Sequence, residues 1–244
     1  MVSMKKIIWF CGWCIIVGIV FFSQGCQKDR EKIVIDYKYE YFPLDSGMYW
    51  IYEVDSIHFY DITNSSDTSK FYLLEKVESF YDDVTGRPTA RLERYKRYDT
   101  LSSWQVDRIW FANFTKTVAE KTEENQRIIK LLFPPRLNQT WKGNQHLHFT
   151  DNIEWMKDWD FTITELDVPK TVRGITYDST ITVLQHIDTN SVIKRIYATE
   201  TYAKRTGLIY KETRNLGKQN IFNDWDKPES GFIHMMQLIE FGRY

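Results

Sequence analysis

"MYWIYEVDSIHFY", residues Met48 to Tyr60, alternates large apolar side chains with polar or smaller ones. With a period of two, Trp50, Tyr52 and Val54 fall on one face of an extended chain and Glu53 and Asp55 on the other. A helix would scatter the same residues around its circumference, so the stretch predicts a strand. "FYLLEKVESFY" (Phe71 to Tyr81), "DSTITVLQHID" (Asp178 to Asp188) and "SVIKRIYATETYAK" (Ser191 to Lys204) repeat the pattern. "TARLERYKRYDTL" (Thr89 to Leu101) is ambiguous, because Leu92, Tyr95 and Tyr98 also recur at helical spacing. Its strand-like neighbours decide it as a strand.

Turn chemistry separates these runs, with "TNSSDTS" at 63 to 69, "DDVTGRP" at 82 to 88, "TGL" at 206 to 208 and "NDWDKPESG" at 223 to 231. After residue 32 no long, capped apolar pattern of helical period occurs. Aromatic residues make up 16% of the chain, with β-branched residues between them, which favours strands. The expected fold is all-β. Runs of ten or more residues suit a large curved antiparallel sheet or half-barrel meander better than a sandwich, whose strands are usually about 5 to 6 residues long.

Two phrases echo each other. "FPLDSGMYW" ends at Trp50 and "FPPRLNQTW" at Trp141, each Phe-Pro followed by six residues and Trp. Proline ends one strand and the aromatic residue opens the next inside the core. The echo raises two related halves, roughly 33–123 and 126–244, against chance in an aromatic-rich chain.

Upstream of this domain, Lys5 and Lys6 precede the 16-residue apolar run Ile7 to Phe22 and then Ser23-Gln24-Gly25. This is the three-part layout of an export signal. A spanning helix needs about 20 apolar residues, so a cleaved signal is preferred to a retained single-pass anchor. Both readings export the body of the protein. Cys11 and Cys14 lie within the run, where a C-x-x-C pair would leave with the signal, and Cys26 becomes the lone mature cysteine. The expected organisation is a signal over 1–25, a tether over 26–32 and a β domain over 33–244. Removal of 1–25 leaves 30 basic against 33 acidic side chains. That balance gives no basic field for nucleic acid or anionic lipid.

"SQGC" resembles the lipobox of bacterial lipoproteins, with Ser23 where leucine is usual. The resemblance implies acylation of Cys26 and anchoring in the outer membrane, since two or more acyl chains hold a protein stably while one does not. Gln27 to Glu31 is similar to the acidic tag that directs such proteins to the cell surface, although Arg30 interrupts the acids. Periplasmic and external faces therefore both remain open. "FPLDSGMYWIYEVDS", "LLFPPRLNQTWKGN", "YAKRTGLIYKE" and "LIEFGRY" resemble phrases of an uncharacterised family of exported bacterial lipoproteins, and their layout is similar to curved-sheet periplasmic carriers. That resemblance implies binding of a hydrophobic ligand or a partner.

Candidate chemistry is sparse. G-x-S-x-G, H-E-x-x-H, G-x-G-x-x-G and the phosphate-binding loop are absent. No catalytic residue, cofactor or metal site is assigned, and enzymatic activity stays open with binding preferred. His146 and His148 would share a face on a strand and could take a metal with Asp151 or Glu154, but solvent-facing histidines explain them as well. Glu53 and Asp55 could serve glycoside hydrolysis, or lie on a solvated face. Arg87, Arg91, Arg94, Lys96 and Arg97 could meet an anionic glycan or lipid headgroup, or mark a charged edge strand. Trp155 and Trp159, flanked by Asp158 and Asp160, could stack a ligand such as a sugar, or belong to the core margin. A glycan-binding or glycan-degrading surface protein is the alternative to the envelope binding protein. Asp55-Ser56-Ile57, Asp99-Thr100-Leu101 and Asp178-Ser179-Thr180 resemble a short O-glycosylation motif of exported bacterial proteins.

Overall fold

The computed structural model describes residues 34–150, 153–219, 221, 225 and 227–244. The expected signal, the tether and Cys26 lie outside the described residues, as does Asp151. Asp36–Tyr244 form one unit by their internal contacts.

The described chain is all-β. β1 (Met48–Tyr60), β2 (Ser65–Asp82), β3 (Pro88–Arg97), β4 (Gln105–Phe114), β5 (Val118–Glu123) and β6 (Gln126–Leu132) follow one another as an antiparallel meander. β7 (Thr140–Trp141), β8 (Phe161–Val172), β9 (Ile175–Asp188), β10 (Lys194–Ala203), β11 (Gly207–Gly217) and β12 (Ser230–Arg243) form a second run of six. β12 pairs with β1, so one 12-stranded sheet runs β6-β5-β4-β3-β2-β1-β12-β11-β10-β9-β8-β7. Single-turn 3-10 helices at Tyr39–Tyr41 and Glu154–Met156 complete the regular elements among the described residues.

A sheet this wide curls, because each strand twists and open sheets rarely exceed about 10 strands without doing so. Register shifts help it bend. They fall at Ile51/Tyr52, Val77/Ser79, Arg94/Tyr95, Ala119/Glu120 and Thr201/Tyr202, among others. An extra residue on one strand of a pair bends that strand and increases its twist. The sheet is not a closed barrel, but the chain after β7 reaches back toward β6. The Ile129 N–H donates to Gly143 O at 2.8 Å, and Arg127 pairs with His146 as an isolated bridge.

Two-residue hairpins place Glu124 and Asn125 (φ 50° and 61°) between β5 and β6, and Arg173 and Gly174 (φ 50° and 79°) between β8 and β9. Positive φ at both central residues matches the right-handed twist of the flanking strands. The ambiguous "TARLERYKRYDTL" is a strand, β3. "TNSSDTS" is mostly strand as well: the turn closes at Asn64 (φ 47°), and Ser65 to Ser69 pair with Tyr60 to Ser56. The hairpin end is exposed there, so polar residues extend the ladder without needing a core.

Trp50 and Trp141, the ends of the two echoing phrases, are both buried and both satisfy their indole N–H on a backbone carbonyl. Trp50 Nε1 donates to Thr206 O at 2.5 Å and Trp141 Nε1 to Ile129 O at 3.0 Å. The chain just ahead of the first phrase and the start of the second each dock on a turn between two other strands. The Arg205 N–H donates to Glu40 O at 2.7 Å and the Phe133 N–H to Thr117 O at 2.8 Å.

Candidate functional site

Alternation puts Trp50 and Tyr52 of β1, Phe71, Leu73 and Glu75 of β2, and Leu92, Arg94 and Lys96 of β3 on one wall. The same cavity takes Trp110 from β4, Lys121 and Glu123 from β5 and Lys130 from β6. Glu200 and Tyr202 of β10, Lys211 of β11, and His234 and Met236 of β12 close the other side, with Phe42, Pro43 and Leu44 ahead of β1 at its margin. The cavity volume is about 300 Å³. Binding cavities of small molecules begin at roughly this size and are usually apolar with a few placed polar groups.

This interior holds far more charge than that. Lys130 Nζ lies 2.9 Å from Glu123 Oε1 and 3.0 Å from Glu200 Oε1, while Lys211 Nζ lies 3.3 Å from Glu200. Tyr202 OH donates to the second Glu200 oxygen at 2.5 Å. Farther along β5 Lys121 donates to Glu75 at 2.6 Å, and the Arg94 guanidinium stacks over the Trp110 ring at 3.6 Å. Glu200 is 1% exposed and Lys130 3%. Removing an ion from water costs several kcal/mol, which a pair recovers only with good geometry and further hydrogen bonds.

The pairing sets the protonation states. Burial by itself would raise the Glu200 carboxyl, but the Lys130 and Lys211 ammonium groups overcome it and bring its pKa down to about 2. Glu123 is opposed by burial too, yet the lysines around it, Lys130 first, hold it well below the carboxylate range. Burial works against the Lys130 charge, and Glu123 and Glu200 outweigh it, keeping that amine protonated beyond the ordinary lysine range. The Tyr202 phenol is pushed far up, by burial and then by Glu200. His234 is drawn down to about 4 by burial and by the positive charge of Lys211, His58, Arg94 and Lys96. The shifts move these groups away from neutrality, whereas a general acid or base works best with a pKa near the operating pH.

The residues singled out from sequence are dispersed. Trp159 is 1% exposed and stacks flat on His186, with ring centroids 5.0 Å apart and planes 1° off parallel. Its indole N–H donates to Trp155 O at 3.1 Å, and half-buried Trp155 meets it edge-on. A ring packed in this way has no free face for a sugar. Asp160 pairs instead with Lys142 at 2.9 Å.

His146 and His148 do not share a strand. His146 makes only the isolated bridge to Arg127, and the following residues are irregular because the chain turns away after β7. No group of three or more His, Cys, Asp or Glu side chains with metal-binding geometry occurs among the described residues. Glu53 and Asp55 are both held by Lys70, at 3.1 and 3.3 Å, and Arg173 also meets Glu53, so they act as ion-pair partners. Of the three Asp-Ser/Thr triplets, Ser56 is buried, Ser179 is tied to Tyr41 and Asp167, and Thr100 is exposed.

The basic run needs a correction. β3 is paired on both sides, with β2 and β4, and is not an edge strand. The pleat splits the run: Arg91 pairs with Glu78 and Glu93, at 3.0 and 2.7 Å, while Arg94 and Lys96 enter the cavity. The buried ion network was missed in the sequence, although it left a signal. Glu75 shares the parity of Phe71, Leu73 and Val77, Lys130 that of Ile128, and Glu200 that of Ala198 and Tyr202. A charge at a core-facing position is the mark of a polar interior.

The fold and the cavity together define an all-β protein whose single curved antiparallel sheet wraps a charged interior. No protein-family model matches the chain and no curated protein is similar to it. Among solved structures it is similar to a proposed exported protein with a YMCC-like fold from Bacteroides fragilis NCTC 9343. The TM-score is 0.42 at 10% identity, over 85% of this chain and 100% of that one. It is also similar to a proposed lipoprotein from Parabacteroides distasonis ATCC 8503, with a TM-score of 0.32 at 12% identity, over 83% and 98% of the two chains. At these levels neither likeness carries an argument about function.

Proposed function

We propose that this is an exported lipoprotein, anchored in the outer membrane through acylated Cys26, whose curved sheet binds a ligand in its interior cavity. The observation that carries the binding half is the cavity itself. Strands from both halves of the sheet meet around a cavity lined by ionised side chains, an arrangement that stability alone does not favour. The anchor half is supported by the basic pair, the short apolar run and the single cysteine that follows it.

Metabolic labelling with an alkynyl fatty acid tests the anchor, with label expected on the wild type and lost in Cys26→Ala; equal labelling of both would sink it. For the cavity, native mass spectrometry of the full chain purified from membranes is expected to show a small molecule that leaves on denaturation. A glycan partner would have to bind somewhere other than the packed Trp155 and Trp159 pair.

A further inference from the structure

We propose that the cavity takes an apolar organic acid, with its anionic group between Arg94 and Lys96 beside His234 and its apolar body against Phe71, Leu92 and Met236. This rests on the reading that the cavity binds a ligand, and it names the chemical class. The charges lining the space do not balance. Six lining side chains are Lys or Arg (Arg94, Lys96, Arg108, Lys121, Lys130 and Lys211) against four carboxylates (Glu75, Asp107, Glu123 and Glu200). Most of these cations are spoken for: Lys121 by Glu75, Lys130 and Lys211 by Glu123 and Glu200, and Arg108 by Glu124.

Lys96 is the exception, and Arg94 is only partly matched, sharing Glu75 with Lys121 and Asp107 with Arg108. Lys96 Nζ has no carboxylate within 4 Å among the described residues and rests over the rings of Phe71 and Tyr98, 3.9 and 4.7 Å from their centroids. Arg94 is 7% exposed, and its buried Nε faces Glu75 without making a hydrogen bond of good geometry. The nearest carboxylate oxygens stand 3.4 Å away on Glu75 and 4.0 Å away on Asp107. A buried donor left unsatisfied costs about 1–3 kcal/mol, more when charged. Stacking on Trp110 fixes the plane of the guanidinium, which leaves its N–H fork preorganised for a carboxylate or phosphate oxygen pair.

Next to this positive pair the wall changes character. Phe71, Leu73, Leu92, Trp110 and Met236 supply the apolar surface, and Phe42 and Leu44 extend it to the margin. A simple inorganic anion would leave that surface unused, and a neutral lipid would leave Lys96 without a counter-ion. An acid with an apolar body satisfies both. Neutral His234 adds a ring nitrogen beside the anion without competing for it as a second buried charge.

The test is calorimetric titration of the full chain in phosphatidylcholine nanodiscs, with empty nanodiscs subtracted. The probes are decanoate, decanol, decyltrimethylammonium, acetate and inorganic phosphate. Decanoate is expected to bind one to one and at least tenfold more tightly than any of the other four. Lys96→Gln is expected to weaken decanoate tenfold or more and leave decanol unchanged, and Lys96→Arg to restore it, with thermal melting of all three chains alike. Decanol binding as tightly as decanoate would overturn the acid while leaving a ligand-binding cavity in place. Acetate or phosphate matching decanoate would overturn the apolar body. Heat from none of the five probes would overturn the inference. If the membrane-purified chain also released no small molecule, the broader reading would fall with it.

Discussion

Lys130 of β6 and Glu200 of β10 meet at 3.0 Å, although seven strands lie between them in the sheet. Eight inter-strand steps in a flat sheet would set β6 and β10 about 38 Å apart. The contact is therefore a direct measure of how far the sheet curls, and it ties the β6 end to the far side of the curl through charge. Lys130→Ala would leave Glu123 and Glu200 buried with only Lys211 between them. The expected loss is about 3–5 kcal/mol in denaturant unfolding, as for other broken buried pairs. Lys130→Met combined with Glu200→Gln is expected to recover more than half of that. Simple additivity of the two substitutions would show that the residues are not coupled.

The same network predicts how stability follows pH. Glu200 is held down to about 2 in the folded protein, below the roughly 4.3 of an unfolded glutamate, and Glu123 is depressed in the same direction. Between those values the unfolded chain binds more protons, so stability rises with pH there. The contribution is complete above about pH 5 and is lost as the pH falls toward 2. Lys130 has the opposite sign, being raised in the folded state. Its contribution is complete below about pH 10.4 and fades as the pH climbs through the folded value. Urea midpoints measured from pH 2 to 7 should show a steep acid limb for the wild type and a flatter one for Glu200→Gln. Identical limbs would count against the coupling.

The strands were largely legible and the site largely was not. Period-two alternation in Met48–Tyr60 is a local property, and the structure keeps it as β1. Which strand meets which across the interior is a non-local property, and neither Lys130 nor Glu200 says in its own neighbourhood that the other is its partner. Arg94 and Lys96 show the difference within one strand. The cluster of positive charge was visible, but only the pairing of β3 on both sides reveals that alternate members point into the cavity. Trp159 misleads for a related reason: an aromatic residue beside acids looks the same in sequence whether the ring stacks on His186 or on a ligand.

Gly231 sits at the start of β12, with φ 104°, opposite the end of β11. A Cβ there would lie 1.9 Å from Asn215 O, a backbone atom that cannot turn aside. Gly231→Ala is therefore expected to disrupt the β11–β12 pairing and sharply lower the yield of folded protein. Gly86 has φ 74° but nothing within 4 Å of its virtual Cβ, so Gly86→Ala carries only the backbone strain, of order 1–3 kcal/mol. Melting temperatures of the two variants separate the cases. Equal shifts would mean the β11–β12 backbones can part without cost.

Trp159 offers a test of packing against ligand stacking. The ring is buried between His186 and Trp155, and its N–H is satisfied by the Trp155 carbonyl. Truncation removes a large apolar side chain and leaves a cavity, so Trp159→Ala is expected to destabilise the protein by about 3–5 kcal/mol. Trp159→Phe keeps an aromatic face toward His186 and loses only the hydrogen bond and part of the volume, so it should cost less than half as much. A stacking surface for a ligand would behave differently, because an exposed ring can be truncated with little effect on folding while binding is lost. Denaturant unfolding of the two variants decides between these roles. Full stability in Trp159→Ala would place the ring outside the core.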